Sequence, residues 1–178
     1  VIGDWTLLGT PAGACAGPEA LPASDWRAAV VPGTVASALQ VDLDAPGELD
    51  AQDWWYRARV DPGPAAELVC EGLATLVEAW LDGAPLFTSR NMFRPVRVPL
   101  PARDALLTLH LCFRSVAAEL ARRQPRPRWK TALVDHVNLR WVRTTLLGRI
   151  PGWTPRVPAI GPWRAVRVEP VARARSGI

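Results

Sequence analysis

The sequence predicts an antiparallel β-sandwich, and three observations carry that expectation. Short segments alternate apolar and polar residues with a period of two. Gly, Pro and Asp-Gly turns separate them at close spacing. Pro and Gly together account for 31 of the 178 residues, which leaves little room for long helices. Hydrophobic residues make up 49% of the chain and charged residues 21%, enough apolar material for a core and too little charge for a disordered polymer. The length suits one domain spanning residues 1–178, and it excludes a complete (β/α)₈ barrel, which needs about 250 residues. No uninterrupted apolar run reaches about 18 residues, so no membrane-spanning helix is expected. The chain begins without Met and without a basic-then-apolar leader, so it is expected to open inside a mature or truncated protein.

The first strand is expected at Asp4–Leu8, followed by a loop rich in Ala, Gly and Pro. A short apolar segment at Trp26–Val31 is broken by Pro32-Gly33, and Thr34 caps a short helix over Val35–Gln40. An acidic loop holds residues 42–53. In Trp54–Val60 the alternation places Trp54, Tyr56, Ala58 and Val60 on one face and Trp55, Arg57 and Arg59 on the other. Further strands are expected at Leu68–Leu73 and Thr75–Leu81. Asp82-Gly83 marks a hairpin returning through Leu86–Thr88. Phe93–Leu100 and Leu106–Arg114 follow, the latter with Leu107, Leu109, Leu111 and Phe113 on its core side. Ser115 caps a helix running to Gln124, ended by Pro125 and Pro127. Strand-like segments are expected around Lys130–Val134 and Leu139–Thr145. Pro151–Pro162, with four prolines and two glycines, must be a shaped loop before a closing strand at Arg164–Val168.

Charge is unevenly distributed. Residues 1–113 carry 7 basic and 14 acidic side chains, and residues 114–149 carry 9 basic and 2 acidic ones. Of the 21 basic residues only Lys130 is not Arg. A basic second half is compatible with a polyanion partner. The favoured expectation is that these arginines pair within the chain or with neighbouring domains, because no aromatics interleave them in an RNA-binding pattern. Neither a nucleic-acid nor a membrane partner is therefore expected. Cys15, Cys70 and Cys112 match no zinc spacing, and no cofactor motif is present, so neither a metal nor a cofactor is expected.

Glycosidic hydrolysis needs two carboxylates at a fixed separation. Glu71 with Glu78, and Asp42 with Asp44, are the available pairs, and neither sits in a local signature. No catalytic residue is assigned. The nine tryptophans offer flat apolar faces suited to sugar rings. Most are expected in the core or at sheet edges. Trp153 is the exception, because it lies in the Pro/Gly loop.

Five segments in order resemble a known family. They are Val31-Pro32-Gly33-Thr34-Val35; Asp53-Trp54-Trp55-Tyr56-Arg57; Glu71-Gly72-Leu73-Ala74-Thr75 with Leu81-Asp82-Gly83; Asn91-Met92-Phe93; and Gly161-Pro162-Trp163-Arg164. Together they resemble the N-terminal sugar-binding domain of glycoside hydrolase family 2, in its β-mannosidase branch. The resemblance covers roughly residues 20–170.

The resemblance implies a galactose-binding-like jelly roll with one or two short helices. It also implies a parent enzyme that hydrolyses terminal β-glycosidic bonds with retention. The catalytic Glu pair would lie in a following barrel absent from these residues, so no activity is expected of this piece alone. The family's G-W-D-W-G-P-R loop aligns with Ile150-Pro151-Gly152-Trp153-Thr154-Pro155-Arg156, where Trp153, Pro155 and Arg156 match. Pro151 and Gly152 replace the first Trp and the Asp, Ala74 replaces the Asp of E-G-L-D-T, and Asp82 replaces the Asn of L-N-G. These departures mark a divergent subgroup. By this alignment Trp153 and Arg156 are the candidate carbohydrate-binding residues, with Asn91 a third, and the following domains are partners. The alternatives are an independent carbohydrate-binding module and a basic polyanion-binding domain.

Overall fold

Nine strands and two short helices build the chain, in a computed structural model that describes residues 2–103, 105–125, 128, 131–152 and 155–171. The strands are β1 (Ile2–Pro11), β2 (Arg27–Ala28), β3 (Gln52–Val60), β4 (Ala66–Cys70), β5 (Val77–Leu81), β6 (Ala84–Ser89), β7 (Val96–Leu100), β8 (Leu107–Phe113) and β9 (Val166–Pro170). The helices are α1 (Val35–Leu39) and α2 (Val116–Ala121).

The strands form two antiparallel sheets. One has six strands in the order β2-β1-β3-β8-β5-β6, and the other has three in the order β7-β4-β9. The expected all-β, galactose-binding-like sandwich is what forms. Its core lies between the sheets, because the central strands send alternate side chains inward. Leu7, Tyr56, Leu111 and Ala79 form one cross-strand row from β1 to β5. Leu68, Cys70 and Val166 of the smaller sheet belong to the same buried cluster. Leu107, Leu109, Leu111 and Phe113 are all buried, as their alternation predicts.

The larger sheet is also covered on part of its outer face. The loop after β1 lays Cys15, Leu21 and Trp26 over Trp55, Trp80 and Cys112. Trp55 is therefore buried although it lies on the face opposite Trp54, Tyr56, Ala58 and Val60. Of the arginines that share this face, Arg57 stacks on the Trp26 ring and Arg59 is exposed.

Local signals set the turns. Thr34 accepts from the Ser37 N–H, and the Ser37 hydroxyl accepts from the Thr34 N–H, a reciprocal cap that starts α1. Asp82 and Gly83 both take positive φ, +49° and +82°, the backbone of a tight hairpin turn. Ser115 caps α2 by accepting from the Ala118 N–H.

Two expected strands do not form. In Thr131–Thr145 the chain instead makes a 3₁₀ turn at Val137–Trp141 and a single bridge at Arg143, while Lys130 lies outside the described residues. Local hydrogen bonds favour the turn. The His136 ring accepts from the Asn138 N–H, and the Asn138 amide donates to the carbonyls of Leu120 and Arg122. Strand β7 starts at Val96 rather than Phe93, because residues 91–95 are used in a docking turn. Helix α2 stops at Ala121, short of Gln124. No helix among the described residues is long and apolar enough to cross a membrane.

Candidate functional site

Parts of four motif segments and the closing one, remote in sequence, meet around Gly161: Gly33–Val35, Tyr56, Gly72–Ala74, Met92 and Trp163. The Gly33 N–H donates to Pro162 O at 3.0 Å and the Val35 N–H to Ile160 O at 2.8 Å. Ala74 and Gly161 exchange both backbone hydrogen bonds, at 2.9 and 3.0 Å. The Trp163 indole N–H reaches the Met92 carbonyl at 3.1 Å, and Gly72 lets that indole lie flat: a Cβ on residue 72 would meet Trp163 Nε1 at 2.6 Å. Gly161 itself has φ +126°, a conformation only glycine adopts readily, and packs against Tyr56 Oη and Gly33 O. This knot fixes the far end of the Pro151–Pro162 loop.

The near end is fixed by charge. Arg149, almost wholly buried, pairs with Asp50 across the mouth of a cavity of about 450 Å³. Burial pushes the Asp50 carboxyl above the usual carboxylate range, while the Arg149 charge and its hydrogen bond pull the other way. Asp50 Oδ1 and Arg149 Nε are buried atoms without a hydrogen-bond partner among the described residues. Arg156 lines the same cavity, paired with Asp135, and both of those side chains are about half exposed (54% each). His136 and Glu48 complete the polar wall.

Asn91 lies in the neighbouring turn. Its side-chain oxygen accepts from the Phe93 N–H at 2.9 Å, leaving its amide NH₂ without a hydrogen bond among the described residues. Its backbone bridges Arg143, and Met92 holds the same segment: the Met92 N–H donates to Arg143 O, and the Thr145 N–H meets Met92 Sδ at 2.9 Å. No hydrogen bond or ion pair among the described residues joins Asn91 to Arg156. Trp153 lies outside the described residues.

The carboxylates considered as catalytic pairs are occupied separately. Glu71 pairs with Arg167 at 2.6 Å, and Glu78 pairs with Arg114 at 2.6 Å. Asp42 accepts from the Asp44 N–H in a local turn. Among the described residues no group of three or more His, Cys, Asp or Glu side chains is placed to hold a metal ion.

A family model described as glycosyl hydrolase 2 galactose-binding domain-like matches residues 19–164. The chain belongs to this family. No curated protein sequence matches it. Among solved structures, a β-D-mannosidase from Dictyoglomus thermophilum is 22% identical, with a TM-score of 0.67, over 96% of this chain and 22% of that one. A β-galacturonidase from Eisenbergiella tayi bound to galacturonate is 13% identical, with a TM-score of 0.57, over 97% of this chain and 25% of that one. The chain thus spans about a quarter or less of the length of these hydrolases.

In this galactose-binding-like domain the motif residues turn out to be largely architectural. Asp53 shows this best. Its carboxylate accepts from Gly13 N, Ser115 N and the Arg114 guanidinium, at 3.0, 2.7 and 2.9 Å. Arg114 also donates to the carbonyls of Cys15 and Ala16 and lies over the rings of Trp55 and Trp80. Sequence pattern did not disclose this network. The one available signal was an Asp next to a strand's first Trp, where a solvent-exposed loop residue is expected. In the basic second half, Arg114, Arg122, Arg140 and Arg149 are engaged within the domain.

Proposed function

We propose that this domain is the N-terminal accessory domain of a β-mannosidase-like glycoside hydrolase. It lends the Pro151–Pro162 loop to the rim of an active site whose catalytic carboxylates stand in another domain, and it packs on the domains that follow. The observation that carries this is the clamping of the loop at both ends, by the Arg149–Asp50 pair and by the Gly161 knot. A clamped, proline-rich loop has little entropy left to lose when a sugar docks.

Within it, Trp153 stacks on a sugar ring, and Arg156 binds a hydroxyl or orients a barrel carboxylate. Arg156 is free to do so because its pair with Asp135 is exposed, and such pairs contribute only about 0–1 kcal/mol. The open NH₂ of Asn91 offers a further donor. Gly152 stands where the family loop carries a sugar-binding Asp, so the sugar preference rests on the remaining contacts.

The experiment is steady-state kinetics of the full-length hydrolase on aryl β-mannoside, β-galactoside and β-galacturonide. The mannoside should be turned over fastest. Trp153→Ala should lose about 1–3 kcal/mol of transition-state stabilisation. Unchanged kinetics with a lowered melting temperature would make Trp153 a packing residue and reject the rim assignment.

A further inference from the structure

The outer face of the larger sheet carries a polar depression remote in sequence from the loop end. It is a cavity of about 480 Å³ lined by Asp4, Thr6, Arg57, Ala58, Arg59, Thr108 and His110. Register builds it. Thr6 of β1, Arg57 of β3 and His110 of β8 lie side by side in one cross-strand row, and Arg59 and Thr108 form the next. A bulge in β1 between Gly3 and Thr6, with Asp4 at φ +55°, brings the Asp4 carboxylate to the same depression.

The chemistry of this face is unusual for a solvated sheet. Two guanidinium groups leave one strand two residues apart, about 7 Å at their roots. Among the described residues neither meets a carboxylate. Arg57 stacks on the Trp26 ring at 4.0 Å, which covers its flat face and leaves its N–H edge open. Among the described residues, Arg59 donates only to Thr108 Oγ1, at 3.1 Å. His110 Nδ1 is buried without a hydrogen-bond partner among the described residues. The Asp82 carboxylate accepts from the Thr108 N–H at 2.7 Å and is thereby tied to the backbone.

Two unpaired, pre-oriented arginines call for a carboxylate, which guanidinium N–H groups bind with charge-assisted hydrogen bonds. Asp4, Thr6 and Thr108 add acceptors and hydroxyls suited to the O–H groups of a sugar. The volume falls within the range of about 300–1,000 Å³ that takes small molecules. We propose that this depression is a binding site for a hexuronate, a sugar bearing its own carboxylate, distinct from the loop-end rim. The carboxylate lies across the N–H edges of Arg57 and Arg59, and a ring hydroxyl donates to Asp4. The site stands independently of the rim assignment, since it shares no residue with it.

The test is a titration of the ¹⁵N-labelled protein with galacturonate, galactose and inorganic phosphate, read from backbone amide shifts. Galacturonate should saturate shifts at Thr6, Arg57, Arg59, Thr108 and His110. Arg59→Gln, a change at an exposed side chain that the fold does not need, should weaken binding about tenfold. Arg156→Gln should leave it unchanged. Galactose and phosphate should each bind at least about tenfold more weakly than galacturonate. The proposal is overturned by any of four results: no saturable shift; equal shifts with galactose or phosphate; unaltered binding by the Arg59 variant; or shifts confined to residues 151–162.

Discussion

Gly161 and Tyr56 touch so closely that the knot at the loop end admits no side chain at position 161. A Cβ there would stand 2.7 Å from Tyr56 Oη and 3.2 Å from Gly33 O, on a backbone with φ +126°. Tyr56 cannot retreat, because it is wholly buried, with Trp5 and Phe113 both edge-on to its ring. Gly161→Ala should therefore destabilise the domain by about 2–3 kcal/mol through strain and overpacking. Urea denaturation would check this. A midpoint within error of the unchanged protein would mean that the knot is looser than its geometry.

Asp53 and Arg114 form a pair whose halves are not equivalent. Asp53 is buried and serves two backbone N–H groups besides the arginine, whereas Arg114 keeps Glu78 and two carbonyls. Asp53→Ala should destabilise by about 3–5 kcal/mol, since it strips buried donors of their acceptor. Glu78→Gln should be milder, because its carboxylate is partly exposed and Arg114 retains Asp53. Comparing the two unfolding midpoints tests this order.

Leu109 and Leu106 sit three residues apart on the same segment, one fully buried and one 62% exposed. Leu109→Ala should lose about 2–5 kcal/mol. Leu106→Ala should stay within about 0.5 kcal/mol. Equal effects would contradict the sheet register.

His110 gives the domain an acid-sensitive element. Burial first, and the neighbouring Arg57 charge second, lower its pKa to about 4, with Asp82 acting weakly the other way. The unfolded chain, with an ordinary histidine near 6.5, binds more protons than the native state between these values. This contribution to stability is full above pH 6.5 and is lost as pH falls toward 4. His110→Gln should therefore narrow the gap between melting temperatures measured at pH 7 and pH 5. An unchanged gap would show that other groups govern the acid limb.

The loop-end pair yields a stability prediction as well as a kinetic one. Arg149 is buried and Arg156 is exposed, although both pair with an Asp across the same cavity. Arg149→Ala should lower the melting temperature clearly, because it removes a buried guanidinium and leaves the half-buried Asp50 carboxylate without its charge partner. Arg156→Ala should barely move it. Differential scanning calorimetry separates the two.

Sequence periodicity sufficed for the sandwich and for most of its elements. A strand buried on one face repeats every two residues, and that signal survives without any knowledge of partners, as Leu107, Leu109, Leu111 and Phe113 show. The caps at Thr34 and Ser115 and the Asp82-Gly83 turn were equally legible, because their physics is local. The family was legible from five motifs in order; the candidates Trp153 and Arg156 came from the aligned loop, and Asn91 from its place in a turn between strands.

What the tertiary structure alone decided depends on contacts between distant residues. The burial of Trp55 on the outer face of its sheet follows from a covering loop about 30 to 40 residues earlier, from Cys15 to Trp26. The turn at Val137–Trp141 forms because Asn138 finds carbonyls of helix α2, a partner that no local pattern announces. Asp53 becomes a buried hub, and Arg57, Arg59 and His110 become neighbours, only once β1, β3 and β8 lie in register. Alternation specifies which side of a strand a residue faces; pairing between strands specifies what it meets there. The sites of this domain are made of the second kind of information.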